Sequence, residues 1–441
     1  MAARLKRYCA VATLIGSLSA AGAWAQDAAQ SGQTASGNEP TTVGAEGGLG
    51  YKATWPDKDT ASIDTKGFGL ASGNGDVKFR IGGRIEEDFG TARVRDFRFT
   101  KPYNDSLDYR RTWLELYLTL HDSVEFAFQY DFSDPTRPIN DAAVAYRGFD
   151  PFVFTLGNFK EPFSLNQLIS DTNTLFTERS LADAFAPARN FGFNIGTHGE
   201  AWTFNAGVFG GNANTGVTEN GIAGTSRLTY APILKPDEVL HLAVAGTYRS
   251  LDNTGQTLSF SARPESFLFR TALVSTGTLA RAEAVERVGI EGAYQTGPVR
   301  FQGEYIWTGV QRGTGQPDVA FNGGYIEAGW TINGNGRPYT LAPTYGTSYA
   351  VFGAPKLADS QRVLRGGIGL FELGARVSYL DLTDRNVAGG REIDYTLGIN
   401  WYPETNVKFV ADYVRATAYR SPAASRRVDA DIFVGRAQIS W

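Results

Sequence analysis

SVEFAFQYDF, residues 123–132, alternates without a slip. Val124, Phe126, Phe128, Tyr130 and Phe132 share one face, while Glu125, Ala127, Gln129 and Asp131 share the other. Successive side chains of a strand point to opposite sides, so this period of two reads as a β-strand with one apolar and one polar face. In a soluble sandwich the aromatics would turn toward a core. In a membrane barrel they would turn toward lipid, with the polar face lining the inside.

The N-terminus points to export. Residues 1–25 begin with Arg4, Lys6 and Arg7, continue through a short apolar run from Val11 to Ala21, and close on Ala23-Trp24-Ala25. That is the three-part pattern of a secretory signal, with an apolar run too short to span a bilayer. The single cysteine, Cys9, falls inside it, so the mature chain is expected to have no disulfide, thiolate nucleophile or cysteine-based metal site. Cleavage removes three bases and moves the formal net charge from −4 to −7. An acidic total argues against nucleic acid as a partner.

Mean hydropathy is −0.24, and no later stretch supplies the apolar run of a membrane helix. A barrel passes that test unseen, because its polar lumen face dilutes the average. Aromatic residues at 13% and 51 glycines suit interfacial girdles and tight corners. Residues 26–75 are small, polar and without period, which predicts a flexible N-terminal periplasmic segment before a barrel over 76–441.

Alternation then recurs throughout. In PVRFQGEYIW, Val299, Phe301, Tyr305 and Trp307 oppose Arg300, Gln302 and Glu304. In EIDYTLGINW, Ile393, Tyr395, Leu397, Ile399 and Trp401 oppose Glu392, Asp394, Thr396 and Asn400. Such segments are long enough to cross a bilayer on a tilt, and they add up to about 16 strands, an even number as bacterial barrels require. Alternate joints are tight, at 121–123, 149–151, 198–201, 296–298 and 403–405, and those between them are longer, at 91–108, 160–190, 251–284 and 382–390. Short periplasmic turns against long extracellular loops are the asymmetry of an outer-membrane barrel. One joint, 333–364, breaks the pattern: it belongs to the periplasmic set and is long and rich in Gly and Pro. The chain closes on RAQISW with Phe433, Gly435, Ala437, Ile439 and Trp441 in one register.

These features, with FRIGGRIEEDFG (79–90), YRRTWLELY (109–117), FTLGNFKEPFSLNQL (154–168), TERSLADAFAPARNFG (177–192), SARPE (261–265), FELGARVSYLDL (371–382), YTLGINWYP (395–403) and ADIFVGRAQISW (430–441), resemble the phosphate- and polyphosphate-selective porins of Gram-negative outer membranes. The resemblance runs in order over 76–441. It implies an all-β fold, a 16-stranded antiparallel barrel working as a homotrimer and narrowed by an inward-folded third loop. It further implies a cofactor-free outer-membrane channel for phosphate, polyphosphate or other small anions.

In such porins the constriction combines a loop-three lysine, a wall aspartate and inward arginines. The wall aspartate falls on Asp141, and alternation independently turns Asp141 and Arg147 inward. The same test turns Arg80, Arg84 and Arg111 inward, and the family places arginines at 84 and 111. The lysine position aligns with Thr172, beside Asp171, and the fifth loop keeps only Arg263 and Arg270 of its arginine cluster, with Glu265 between them. Arg179 and Arg189 lie in the 160–190 loop, whose own apolar residues predict a packed segment. The anion-binding candidates are therefore Arg84, Arg111, Asp141, Arg179, Arg189, Arg263 and Arg270. Each arginine has a plainer reading as the partner of a lumen carboxylate, such as Glu86, Glu115, Glu125, Glu304 or Asp394.

An enzymatic barrel would gather histidine with serine or aspartate at the outer rim. Two of the three histidines, His121 and His198, fall in short turns, and His241 starts a strand near the same side. Nucleotide, zinc-protease and serine-hydrolase signatures are missing, and no metal site is expected. The alternatives left open are a general diffusion porin of weak selectivity and, more remotely, a secreted β-sandwich.

Overall fold

The computed structural model describes residues 42–46, 50–54, 58–64, 67–95, 106–214, 221–251, 258–343, 346–420 and 427–441; the leader read at 1–25 lies outside them. Among the described residues, sixteen antiparallel strands close on themselves. They are β1 (Val77–Val94), β2 (Ser106–Leu120), β3 (Val124–Asp131), β4 (Ile139–Phe149), β5 (Phe152–Lys160), β6 (Arg189–His198), β7 (Trp202–Phe209) and β8 (Ile222–Leu234). The remainder are β9 (Glu238–Ser250), β10 (Ala282–Thr296), β11 (Val299–Arg312), β12 (Val319–Thr331), β13 (Leu370–Asp384), β14 (Val387–Glu404), β15 (Val407–Tyr419) and β16 (Arg427–Ser440). Each pairs with the next, and β16 returns to β1 from Ala430↔Val94 to Ser440↔Arg84. Closure leaves no exposed edge along the seam.

The opening stretch now has its answer. Phe126, Phe128 and Phe132 are 43%, 37% and 64% exposed, while Glu125, Gln129 and Asp131 are buried. Its greasy side faces out, and the barrel is apolar outside and polar within.

Two expectations change. Residues 26–75 are not wholly irregular: Thr42–Glu46, Gly50–Thr54, Thr60–Asp64 and Gly67–Ala71 form antiparallel strands. The last of them pairs with the start of β1, Phe68 opposite Ile81, beside the point where β16 stops. Backbone pairing needs no apolar alternation, so this ribbon left no periodic trace in the sequence. The joint at 382–390 is not a long loop either. Thr383 and Asp384 pair with Ala388 and Val387, leaving a tight turn at Arg385, whose φ is +47°.

Three inserts enter the barrel. From the loop end come residues 161–188 and 258–281, and from the turn end come residues 332–343 and 346–369. The third loop, 161–188, buries Phe163, Leu165, Phe176 and Phe185 almost completely. Each such side chain contributes about 1.5–3 kcal/mol relative to exposure. Its seat is a row of inward glycines: Gly329 pairs with Gly374, and Gly374 with Gly398, across β12, β13 and β14. A Cβ on Gly374 would lie 2.9 Å from both Leu175 Cδ2 and Phe176 Cζ, and one on Gly398 would lie 2.9 Å from Phe176 Cδ1. The missing side chains make the groove that holds Leu175 and Phe176. With residues 258–281 of the fifth loop, the third loop fills the lumen against β9–β16, where Phe163, Phe185, Phe260 and Phe269 share one apolar cluster. The open passage is thereby displaced toward β1–β6.

Candidate functional site

A cavity of about 260 Å3 lies in that passage, lined by Arg84, Trp113, Asp141, Lys160, Asp171 and Arg189 among others. Strand pairing places the first two: Arg84 on β1 sits directly across from Trp113 on β2, its guanidinium 4.2 Å from the ring centroid. Arg189, first residue of β6, approaches the same ring at 5.6 Å and pairs through Nε with Asp141 Oδ1 at 2.5 Å. Cation–π contacts of this partly desolvated kind contribute about 1–2 kcal/mol. Arg84 Nε donates to Glu115 Oε1 at 2.9 Å, while Nη1 is buried and meets no acceptor among the described residues.

Lys160 ends β5 and sends Nζ into the cavity, where it donates to the Gln167 carbonyl at 2.6 Å. Asp171 closes the third-loop side, with Arg179 Nη2 at 2.5 Å and Arg111 Nε at 3.5 Å. Burial pushes the Asp171 carboxyl up, but Arg111, Arg179, Lys160 and Arg189 outweigh it and hold the group well below the usual range. The charged lining thus sets three basic side chains, Arg84, Lys160 and Arg189, against two carboxylates, Asp141 and Asp171.

Of the residues singled out from sequence, Arg84, Asp141 and Arg189 are brought together. Arg111 stands just behind them, buried between Glu86, at 2.6 Å, and Asp171. Arg179 turns back into its own loop, donating to the carbonyls of Asn166, Gln167 and Ile169 at 2.9, 3.3 and 3.1 Å, and braces the loop. Arg263 and Arg270 form a separate group near the loop end, at 5.7 and 5.1 Å from the Phe267 ring. Arg270 also pairs with Asp108. Glu265 does not offset them. Its carboxylate points to the wall and accepts from Arg376 Nε at 2.9 Å, Ser378 Oγ at 2.5 Å and Thr396 Oγ1 at 2.6 Å.

Sequence reasoning missed Lys160, Trp113 and Arg110. Thr172 lies at the aligned lysine position and bonds within its own loop, to Ser170 and Asn173. The amine comes instead from the end of β5. Arg110 was missed because strict alternation admits only one of two consecutive residues to the lumen. A bulge shifts the register between Glu86↔Arg111 and Glu87↔Tyr109, so both arginines turn inward. Arg110 then clamps Glu178 of the third loop, Nε to Oε1 at 2.6 Å and Nη2 to Oε2 at 3.1 Å.

The family described as phosphate-selective porin O and P matches residues 79–441. The chain belongs to that family. This porin is 26% identical to Porin O of Pseudomonas aeruginosa over 419 residues, covering 85% of this chain and 91% of that one. Among solved structures, an anion-selective porin from Comamonas acidovorans superposes with a TM-score of 0.54 at 10% identity, covering 83% of this chain and all (100%) of that one. OmpT of Vibrio cholerae, in-vitro folded and in trimer form, gives 0.50 at 10% identity, covering 83% and 99%. Likeness at such identity speaks for the fold alone. The porin is an integral outer-membrane protein, so its turn end is periplasmic and its loop end extracellular.

Proposed function

We propose that this porin is a passive homotrimeric channel for small anions, with phosphate-sized oxyanions pausing between Arg84, Arg189 and Lys160. One observation carries the reading: Arg84, Arg189 and Lys160 converge from three strands on one cavity in the passage, where basic side chains outnumber carboxylates. Guanidinium groups match the oxygens of phosphate or a carboxylate, and a narrow pore raises the field on a passing ion. Passage also needs weak binding, and here Asp141 and Asp171 temper the site. The family's own description is phosphate-selective, which makes phosphate or polyphosphate the leading cargo.

A second reading, a general porin of weak selectivity, has its own support. Deeper in the lumen the arginines are matched by acids, as in Arg227–Glu291, Arg300–Glu327 and Arg436–Asp88. Such pairs stiffen the wall and cancel much of its field.

Trimer assembly is supported by uneven strand length. β3 and β7 have 8 residues each, short of the span a lipid-facing strand needs, whereas β10 has 15 and β14 has 18. Neighbouring copies would cover the low wall of β3–β7.

The deciding experiment is the zero-current potential of purified trimers in a planar bilayer under a KCl gradient, repeated with phosphate. Anion-selective sign with phosphate block of the chloride current is the expected outcome. A potential near zero with no block would leave the general porin.

A further inference from the structure

The outer wall carries a built feature that the channel does not use. Three cross-strand rows on the lipid-facing side of β10–β14 lie one above another. The outermost joins Trp307, Asn322, Asp381 and Arg391. The next joins Ile290, Tyr305, Gly324 and Tyr379, and the lowest joins Gly292, Gly303, Ile326 and Val377. Wherever glycine replaces a side chain the surface drops. The result is an apolar groove of about 560 Å3, floored by Gly292, Gly303 and Gly324 and walled by Ile290, Tyr305, Ile326 and Tyr379.

Its extracellular end opens on charge. Arg391 Nε donates to Asp381 Oδ2 at 2.7 Å, and Tyr379, a wall of the groove, donates its hydroxyl to the same oxygen at 3.2 Å. Asp381 is thereby held in place, while the Arg391 side chain stays 59% exposed. An apolar groove thus ends, on its extracellular side, at a positioned guanidinium.

We propose that this groove seats an acyl chain of a phosphorylated outer-leaflet lipid, with its phosphate on Arg391. A second copy of the chain is the weaker candidate for the occupant. The strands here run from 13 to 18 residues, long enough to cross the bilayer without a protein neighbour, unlike the low wall of β3–β7. Water does not fill an apolar slot at this depth, so lipid chains do, and Arg391 selects among them by headgroup charge.

The test uses the full-length porin in neutral detergent, with added diphosphorylated lipid A or, as neutral-headgroup control, phosphatidylcholine, read by native mass spectrometry. Gly292→Leu fills the groove, and its new Cβ meets nothing within 4 Å, so the barrel is expected to fold unchanged. Lipid A retention should fall about tenfold in Gly292→Leu, from lost chain burial. In Arg391→Gln it should fall about fivefold, with loss of preference over phosphatidylcholine. Equal retention by wild type and Gly292→Leu overturns the proposal. So does disulfide-linked dimer formation by Ile326→Cys in native membranes, which would show a second copy over the groove.

Discussion

Arg337 and Glu372 form a two-pronged buried ion pair, Nε to Oε1 and Nη2 to Oε2, both at 2.7 Å. It fastens the 332–369 insert to β13. The same guanidinium donates to the Gly353 carbonyl at 3.0 Å and to the carbonyl of Asn173 in the third loop. Two inserts that enter the barrel from opposite ends therefore share one clasp. Thr347 and Ser348 reinforce it, their hydroxyls donating to the carbonyls of Lys160 and Leu168 at 2.6 and 3.1 Å.

Breaking the clasp should enlarge the pore. Arg337→Met leaves Glu372 buried without its partner, a change that costs about 3–5 kcal/mol. Single-channel conductance should rise and become noisy, while the double variant Arg337→Met/Glu372→Met recovers much of the lost stability. Unchanged conductance in the single variant would mean that the insert is held by other contacts.

The glycine seat makes a separate prediction. Gly374→Val puts side-chain carbon where Leu175 and Phe176 now lie. Overpacking at such a site costs about 1–3 kcal/mol, and the third loop should lift from the wall. A larger conductance together with new protease cleavage near residue 175 is expected. If the loop stays protected, the row of glycines is not what admits it.

The fifth loop hangs on Glu265. Glu265→Gln keeps the shape but removes the charge facing Arg376, and Asp394 Oδ2 still accepts from the backbone N–H of residue 265 at 3.0 Å. The expected cost is about 2–4 kcal/mol in unfolding free energy, from a buried guanidinium that has lost its main anion. Denaturant unfolding measured by tryptophan fluorescence reads it directly, and a cost within error of zero refutes the anchor.

Acid should act late on the third loop. Burial pushes Glu178 up, but Arg110, Arg111 and Arg436 hold it well below the usual range, as neighbouring cations do for Asp171. A depressed native pKa gives stability that is complete above the ordinary carboxylate value, about 4, and is lost as pH falls through the lower native values. The change in conductance that comes from losing these two carboxylates should therefore be absent from neutrality to about pH 4.5 and set in only in stronger acid. A step between pH 7 and 5 would require another titrating group at the constriction.

At the constriction itself, Arg84→Gln and Lys160→Gln should each move the zero-current potential toward cation selectivity. Arg179→Gln should instead loosen the loop, because its donors serve the carbonyls of Asn166, Gln167 and Ile169 rather than the passage. Equal shifts from all three would refute the distinction between lining and bracing cations.

The barrel was legible in the chain because its logic is local. A lipid-facing strand must alternate, since each residue meets either hydrocarbon or water, and 123–132, 299–307 and 392–401 say so residue by residue. Loop length added the orientation, and inward parity found Arg84 and Asp141. Three things lay beyond that reading. The bulge that turns both Arg110 and Arg111 inward is an interruption of parity, invisible to any rule built on parity. Gly329, Gly374 and Gly398 stand far apart in the chain and become one groove only when three strands take their register. Finally, whether a lumen arginine lines the passage or pairs with an acid depends on which inserts pack beside it. Arg84 and Arg179 look alike in sequence, and only the folded third loop separates the one that faces the cavity from the one that holds the loop in place.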